Sequence, residues 1–194
     1  LLDELRSGIV VAIIGPRFET HLLAAVAALP PTWEESLWRL EEAGFVYLLR
    51  SLPQTVYAFR HALGQEAIYA SLSEKRRKAM HRQVGEAIER LYPERLGERV
   101  ADLAHHFDRA DVDRKALHYL LQEGEQALAA YLNDEAVRAF QRALARLQKD
   151  LLSTDVEQVP VARQRLAALS GMGKAQLVIG DYEDANTTLG RALE

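Results

Sequence analysis

The sequence predicts a mainly helical protein interrupted by one short β-hairpin. Ala, Leu, Glu and Arg dominate while aromatic residues make up only 7%, and that composition favours helix over strand. Along most of the chain apolar residues recur at helical spacing, as on one face of an amphipathic helix. Only Phe45–Leu49 and Val56–Phe59 are rich in β-branched and aromatic residues, on either side of a loop, Arg50–Thr55, that contains Pro53; this reads as a hairpin.

Taken in order, residues 3–14 fit a helix that Gly15-Pro16 ends. Thr20–Leu29 is a second apolar helix, closed by Pro30-Pro31. Thr32 can cap a third, with Glu34 and Glu35 in the first turn, where the helix dipole favours negative charge. That helix carries the stripe Trp33, Leu37, Leu40 and Ala43, and Gly44 suits the left-handed position after its end. The hairpin follows, then a helix over His61–Ser71. Three helices, a hairpin and a further helix describe a winged-helix arrangement.

Ser73 starts the next helix, with Leu72, Ala79, Val84, Ala87, Ile88 and Leu91 as its apolar face and Pro93 as its stop. Beyond it there is no strand signal. Gly97–Arg109, Asp113–Tyr131, Asp134–Lys149, Val161–Ile179 and Asp181–Glu194 all read as amphipathic helices with short connections. Asp111, Asn133 and Asp181 are expected as N-caps and Gly180 as a C-terminal stop.

Composition bounds the function. The chain has 194 residues, enough for one large or two small domains. There are no cysteines, which excludes disulfides, thiolate metal sites and a Cys nucleophile. The longest apolar runs, Ile9–Ile14 and Leu22–Leu29, fall far short of the roughly 20 residues a membrane-spanning helix needs. Asp3 and Glu4 stand where a secretory leader would be basic. A cytoplasmic protein that does not engage membranes is expected. Both Leu1 and Glu194 fall inside helical patterns, which reads as a segment of something longer. Residues 1–95 carry 12 basic and 12 acidic side chains, and residues 96–194 carry 12 and 16; neither half has the basic excess of a nucleic-acid binder.

One internal repeat is visible. Ala136, Phe140, Ala143 and Leu144 match Ala185, Leu189, Ala192 and Leu193, each at an offset of 49. Small residues let helices approach closely, and the large one fills the gap between them. Units of this kind stack into a solenoid. The stretch from Gly173 through Gly180, Tyr182, Ala185, Leu189 and Ala192 resembles a tetratricopeptide repeat, with Gly173, Ala185 and Ala192 on its small positions and Tyr182 and Leu189 on its large ones. Gln176 departs from the aromatic usual there. The offset exceeds the standard period of about 34, an excess of about 15 that would lengthen the Lys149–Val161 connection and its flanks. A generic helical bundle is the alternative.

Catalytic constellations are absent: no phosphate-binding GxxxxGK[ST] or GxGxxG loop, no HExxH, no GxSxG. His105 and His106 are adjacent, and helical neighbours point about 100° apart, so one packed and one exposed histidine is expected, with His118 on the next helix an unsupported third ligand. Glu34, Glu35, Glu41 and Glu42 read as a solvated face. Lys75–Lys78 with Arg82 form the one basic cluster, a solvated helix start in the simplest reading and a phosphate or acidic-partner contact in the other. The third helix, which in a winged helix would enter the major groove, holds four Glu and one Arg, and the wing offers only Arg50. Direct DNA binding is therefore not expected.

The run Phe59-Arg60-His61-Ala62-Leu63-Gly64-Gln65-Glu66-Ala67-Ile68-Tyr69-Ala70-Ser71-Leu72, followed by Arg76-Arg77 and Met80-His81-Arg82, is distinctive. With Ile13–Phe18, Leu40–Val46 and Leu103–Ala110, it resembles the region after the ATPase in bacterial STAND-class signalling ATPases. In that family an AAA-type ATPase is followed by a winged helix and tetratricopeptide repeats, and the chain carries an adenylate/guanylate cyclase domain or a LuxR-type DNA-binding domain. The resemblance implies a winged-helix domain over 1–72, linking helices over 73–110 and helical repeats over 111–194. It implies a non-catalytic regulatory fragment with no cofactor of its own. ATP or ADP would bind the parent's upstream ATPase, and a protein or small-molecule signal would bind the repeats. A parent of the cyclase type is expected first; a ligand-responsive LuxR-type or other DNA-binding regulator is the alternative. One residue carries over. His61 matches the family histidine that contacts the β-phosphate of bound ADP, although Ala62 replaces the acidic residue that usually follows. A structural role for His61, as cap or packing residue, stands open beside it.

Overall fold

The computed structural model of the chain describes residues 2–26, 33–151 and 158–193. The protein is mainly helical, with one small antiparallel sheet. Residues 27–29 of the expected second helix, the Pro30-Pro31 stop, Thr32 and residues 152–157 of the Lys149–Val161 connection lie outside the described residues. Two compact units divide the chain, Leu1–Leu96 and Gly97–Glu194, so the stretch 73–110 is shared between them.

The first unit runs α1 (Leu2–Ile14), β1 (Arg17–Glu19), α2 (Thr20–Val26), α3 (Trp33–Glu42), β2 (Val46–Arg50), β3 (Val56–Phe59), α4 (Ala62–Ala70) and α5 (Glu74–Leu91). α1 packs against each of the other four helices. Val10, Val11, Ala12 and Ile13, four residues in a row, are all buried, as a helix surrounded on every side requires. The sheet order is β1-β3-β2, with Arg17 opposite Ala58 and Val46 opposite Phe59. The hairpin forms where its composition placed it. β1 was not expected: three residues are too few to show alternation, and the strand forms by pairing with β3, some forty residues away. Ser73 caps α5 as its position suggested, its Oγ accepting from the Arg76 N–H at 3.4 Å. Ala79, assigned above to the apolar face of α5, is exposed, while His81 and Gly85 join Val84, Ala87 and Ile88 inside.

A 3₁₀ segment, Pro93–Arg99, precedes α6 (Val100–Arg109). The single helix expected from Gly97 thus starts three residues later, because Arg95 and Arg99 have non-helical backbones in a Pro- and Gly-containing stretch of poor helix propensity. Then follow α7 (Asp113–Ala129), α8 (Asn133–Leu151), α9 (Gln158–Ile179) and α10 (Tyr182–Ala192). α7–α8 and α9–α10 form successive helical hairpins, and α9 packs on both α7 and α8. No helix among the described residues is long and apolar enough to cross a membrane.

Four helices end alike. Gly44, Asp111, Tyr131 and Gly180 all have left-handed backbones, with φ of 74°, 59°, 60° and 87°. The following N–H turns back each time: Phe45 to the Leu40 carbonyl, Val112 to Phe107, Leu132 to Ala127 and Asp181 to Gln176. This is the Schellman closure. Gly180 behaves as expected. Asp111 does not: it closes α6 instead of capping α7, and Val112 holds the cap position. Aspartate tolerates the left-handed region through its short polar side chain. Asn133 is the first residue of α8, and Asp181 holds the N-cap position of α10 without a side-chain cap bond.

The 49-residue repeat has a structural basis. The Phe140 ring, 1% exposed, lies between Gly124 of α7 and Gly171 of α9; a Cβ at either glycine would come within 2.6 and 2.4 Å of it. Leu189, 49 residues on, lies against Gly173, the residue 49 after Gly124, where a Cβ would come within 2.6 Å. Tyr131 and Gly180, the two left-handed turn residues, keep the same offset. The equivalence therefore covers whole hairpins, not only the second helix of each.

Candidate functional site

In the first unit the features concentrate around α4. β3 delivers the chain to His61, whose extended backbone (φ −134°, ψ 125°) lets α4 begin at Ala62. The His61 side chain makes no capping bond and is exposed, as are Ala62 and Leu63. The Gly64 N–H donates to the His61 carbonyl at 3.1 Å, and a helix start of this kind can receive an anion. α4 has no fully buried residue. It is held by Gln65, whose Nε2 donates to the Ala12 carbonyl at 3.1 Å, and by the contact of Tyr69 with His81.

The basic cluster of α5 is largely engaged within its own unit. Lys78 pairs with Glu74 at 2.9 Å and Arg82 with Glu86 at 2.8 Å. Arg77 lies over the Tyr69 ring at 5.2 Å, with its Nε buried and lacking a hydrogen-bond partner. Lys75 and Arg76 face solvent. Of the four acidic residues read as a solvated face, Glu34, Glu35 and Glu42 are exposed. Glu41 is a correction. It is half-buried and accepts from the Leu48 N–H and the Tyr57 hydroxyl, both at 3.3 Å. It thereby satisfies an N–H of β2, an edge strand of the sheet. Burial first, and then the Glu41 charge, push the Tyr57 pKa up. Around this edge Trp38, Phe45, Tyr47, Leu48, Leu49 and Leu52 are exposed, an apolar concentration of the kind that marks contact surfaces. Arg50 is exposed on the same hairpin.

A second polar feature of this unit had no sequence signal. The Tyr92 hydroxyl donates to the Glu19 carboxylate and lies in hydrogen-bond contact with His21 Nε2. It joins the end of α5 to β1 and α2, which only the tertiary fold brings together.

In the second unit, His106 is buried and His105 exposed, as expected of helical neighbours, with their rings edge-on at 5.2 Å. His118 is exposed and edge-on to Tyr119. The densest ionic group is one that sequence reading missed. Arg142 and Arg146, one turn apart on α8, both bond Asp108 near the end of α6, at 2.9 Å each. Arg146 also pairs with Asp111 and Asp113 in the α6–α7 turn and donates to the Asp108 carbonyl. Burial opposes the Arg146 charge, but the three aspartates outweigh it and hold its pKa above the usual arginine range. Burial likewise pushes Glu123 up, against the pull of Arg142 at 3.5 Å. Each acid has a basic partner, so the group ties helices together. Farther along, a groove of about 520 Å³ opens on α8, α9 and α10, with Leu147 and Met172 in its floor and Arg165 and Arg191 among its lining.

Comparison with known proteins adds one relative. An uncharacterized protein of Rhizobium meliloti (strain 1021) is 28% identical over 166 residues, which cover 84% of this chain and 16% of that protein. The chain thus spans about a sixth of the relative it matches. No family model and no solved structure matches.

Proposed function

We propose that this chain is a non-catalytic regulatory region of a multidomain signalling ATPase of the STAND class. In this reading the first unit is a winged helix that follows the nucleotide state of an upstream ATPase. The second is a tetratricopeptide-like array that presents a surface to a signal. The observation that carries the reading is His61, exposed at the N-terminus of α4 with no capping bond of its own. A helix start with a free imidazole can accept the β-phosphate of an ADP held by another domain. Several features support the rest. The helix–strand order of the first unit and its three-stranded sheet are consistent with a winged helix. The exposed apolar residues around β2 suit packing on a neighbouring domain. The second unit repeats its hairpin at an offset of 49. The relative is about six times longer than the matched segment, which leaves room for an ATPase and an effector.

Switching would be a rigid-body movement of the winged helix, ADP favouring the closed state and ATP the open one. The effector domain of the parent is a cyclase in the first reading. Against direct DNA reading by this chain stand the exposed Glu34, Glu35 and Glu42 on α3, which oppose phosphate. The groove with Arg165 and Arg191 is the place on the array for an anionic small-molecule signal.

The test is His61→Ala in the full-length parent. Loss of one hydrogen bond to a charged group, about 1.5–3 kcal/mol, should weaken ADP binding tenfold or more and leave ATP binding nearly unchanged. Equal affinities in wild type and variant would refute the role of His61. A several-degree stabilisation of the isolated 194-residue chain by ADP would refute the dependence on an upstream domain.

A further inference from the structure

The two hairpins of the second unit are equivalent in sequence but not in surroundings. In the first, Ala127, Leu128, Ala136, Phe140 and Leu144 of α7 and α8 cluster with Ala168, Met172 and Ala175 of α9. α9 thus covers the outer face of the first hairpin, and Gly171 lets it approach the Phe140 ring. Adding 49 to each first-hairpin residue gives Gln176, Leu177, Ala185, Leu189 and Leu193. Gln176 and Ala185 are buried within the hairpin itself, but among the described residues no helix follows α10 to lie over the rest. Leu177 is 44% exposed and Leu193 91% exposed. Leu189 is half-buried where Phe140 is enclosed. Val178, Ile179 and Tyr182, at the adjoining α9–α10 turn, are exposed as well. Gln176 is the polar member of this set. It takes the place of Ala127, is 4% exposed, and its Oε1 has no hydrogen-bond partner. A buried carbonyl without a donor is costly.

We propose that the outer face of α9 and α10 is the seat for one further helix of the same array. Its occupant is an α9-like amphipathic segment that sets a glycine or alanine against Leu189. The internal geometry chooses this occupant, because α9 itself fills the equivalent seat on α7 and α8. The small residue is required: a Cβ at Gly171 would meet the Phe140 ring at 2.4 Å, and Leu189 projects from the matching position. The inference rests on the helical-array part of the proposed function and not on the role of His61.

The probe is a labelled peptide spanning residues 158–179, titrated against the 194-residue chain and read by fluorescence anisotropy. Saturable binding is expected. Leu177→Glu and Leu193→Glu in the chain should each weaken it at least tenfold with circular dichroism unchanged, since both side chains are already largely exposed. A peptide carrying Gly171→Leu should fail to bind. Absence of binding would overturn the proposal. So would binding undiminished by Leu177→Glu and Leu193→Glu, which would mean exchange with the resident α9. Equal binding by the Gly171→Leu peptide would remove the small-residue requirement. Self-association of the chain that Leu193→Glu abolishes would assign the face to a second copy instead. In each of these cases the nucleotide response of the parent to His61→Ala is unaffected, so the two readings fail separately.

Discussion

Phe140 and Leu189 hold the same place in two copies of one hairpin, yet the first is enclosed by three helices and the second by two. The comparison shows how a stacked helical array distributes its stability. A large side chain in the second helix of a hairpin gains the last part of its burial from the helix that follows, so an identical position has a different energetic weight at different places in the stack. The sharpest way to break the equivalence is to truncate both side chains. Phe140→Ala should cost about 3–5 kcal/mol, the range for a large aromatic removed from a closed core. Leu189→Ala should cost less than half of that, because its outer side already meets solvent. Urea titration followed by circular dichroism at 222 nm measures both; equal losses would mean that the two environments do not differ as the structure shows.

The glycines on either side of Phe140 offer the next contrast. Gly171→Ala places a methyl group 2.4 Å from the ring, and overpacking of this kind costs about 1–3 kcal/mol. Gly190, on α10, has nothing within 4 Å of its would-be Cβ. Gly190→Ala should therefore stabilise, by up to about 1 kcal/mol from helix propensity alone. Opposite signs in thermal melts of the two variants are the expected result. Two losses of equal size would show that the α10 surface is also filled.

Much of this architecture was legible in the sequence, and the gaps have a common cause. Gly44, Ser73, Gly180 and the β-branched runs of the hairpin act within a few residues of themselves, and the structure places each where its chemistry indicated. The 49-residue offset was visible in α8 and α10 because alanine and a large apolar residue keep a fixed spacing on one helix. Its counterpart in the first helices, Gly124 with Gly173, carries too few shared side chains to be noticed before the Phe140 ring shows why a glycine is needed. β1 exists only because β3 pairs with it. The carboxylates of Asp108, Asp111 and Asp113 reveal nothing until α8 brings Arg142 and Arg146 against them. Glu41 looked like a surface acid because the hairpin was legible in the sequence but the packing of α3 against its β2 edge was not. His61 was singled out by the family resemblance alone; its freedom from any capping bond was not legible.

The smallest effects test the turn residues, where the repeat uses different amino acids for one backbone shape. Tyr131 and Gly180 are offset by 49 and both close a helix in the left-handed region, at φ 60° and 87°. For an L-residue this conformation costs roughly 1–2 kcal/mol, and glycine is free of most of that. Tyr131 gains little in return from packing, since its side chain is 85% exposed. Tyr131→Gly should therefore stabilise the chain by about 1 kcal/mol, less the extra flexibility that glycine gives the unfolded state. Gly180→Ala should destabilise it by a similar amount, because nothing crowds the site and only the backbone objects. Differential scanning calorimetry on the two variants would show melting temperatures moving in opposite directions. If Tyr131→Gly instead lowered the melting temperature, the tyrosine ring would have to be contributing contact at this turn that its exposure does not reveal, and the two turns would be alike in backbone only.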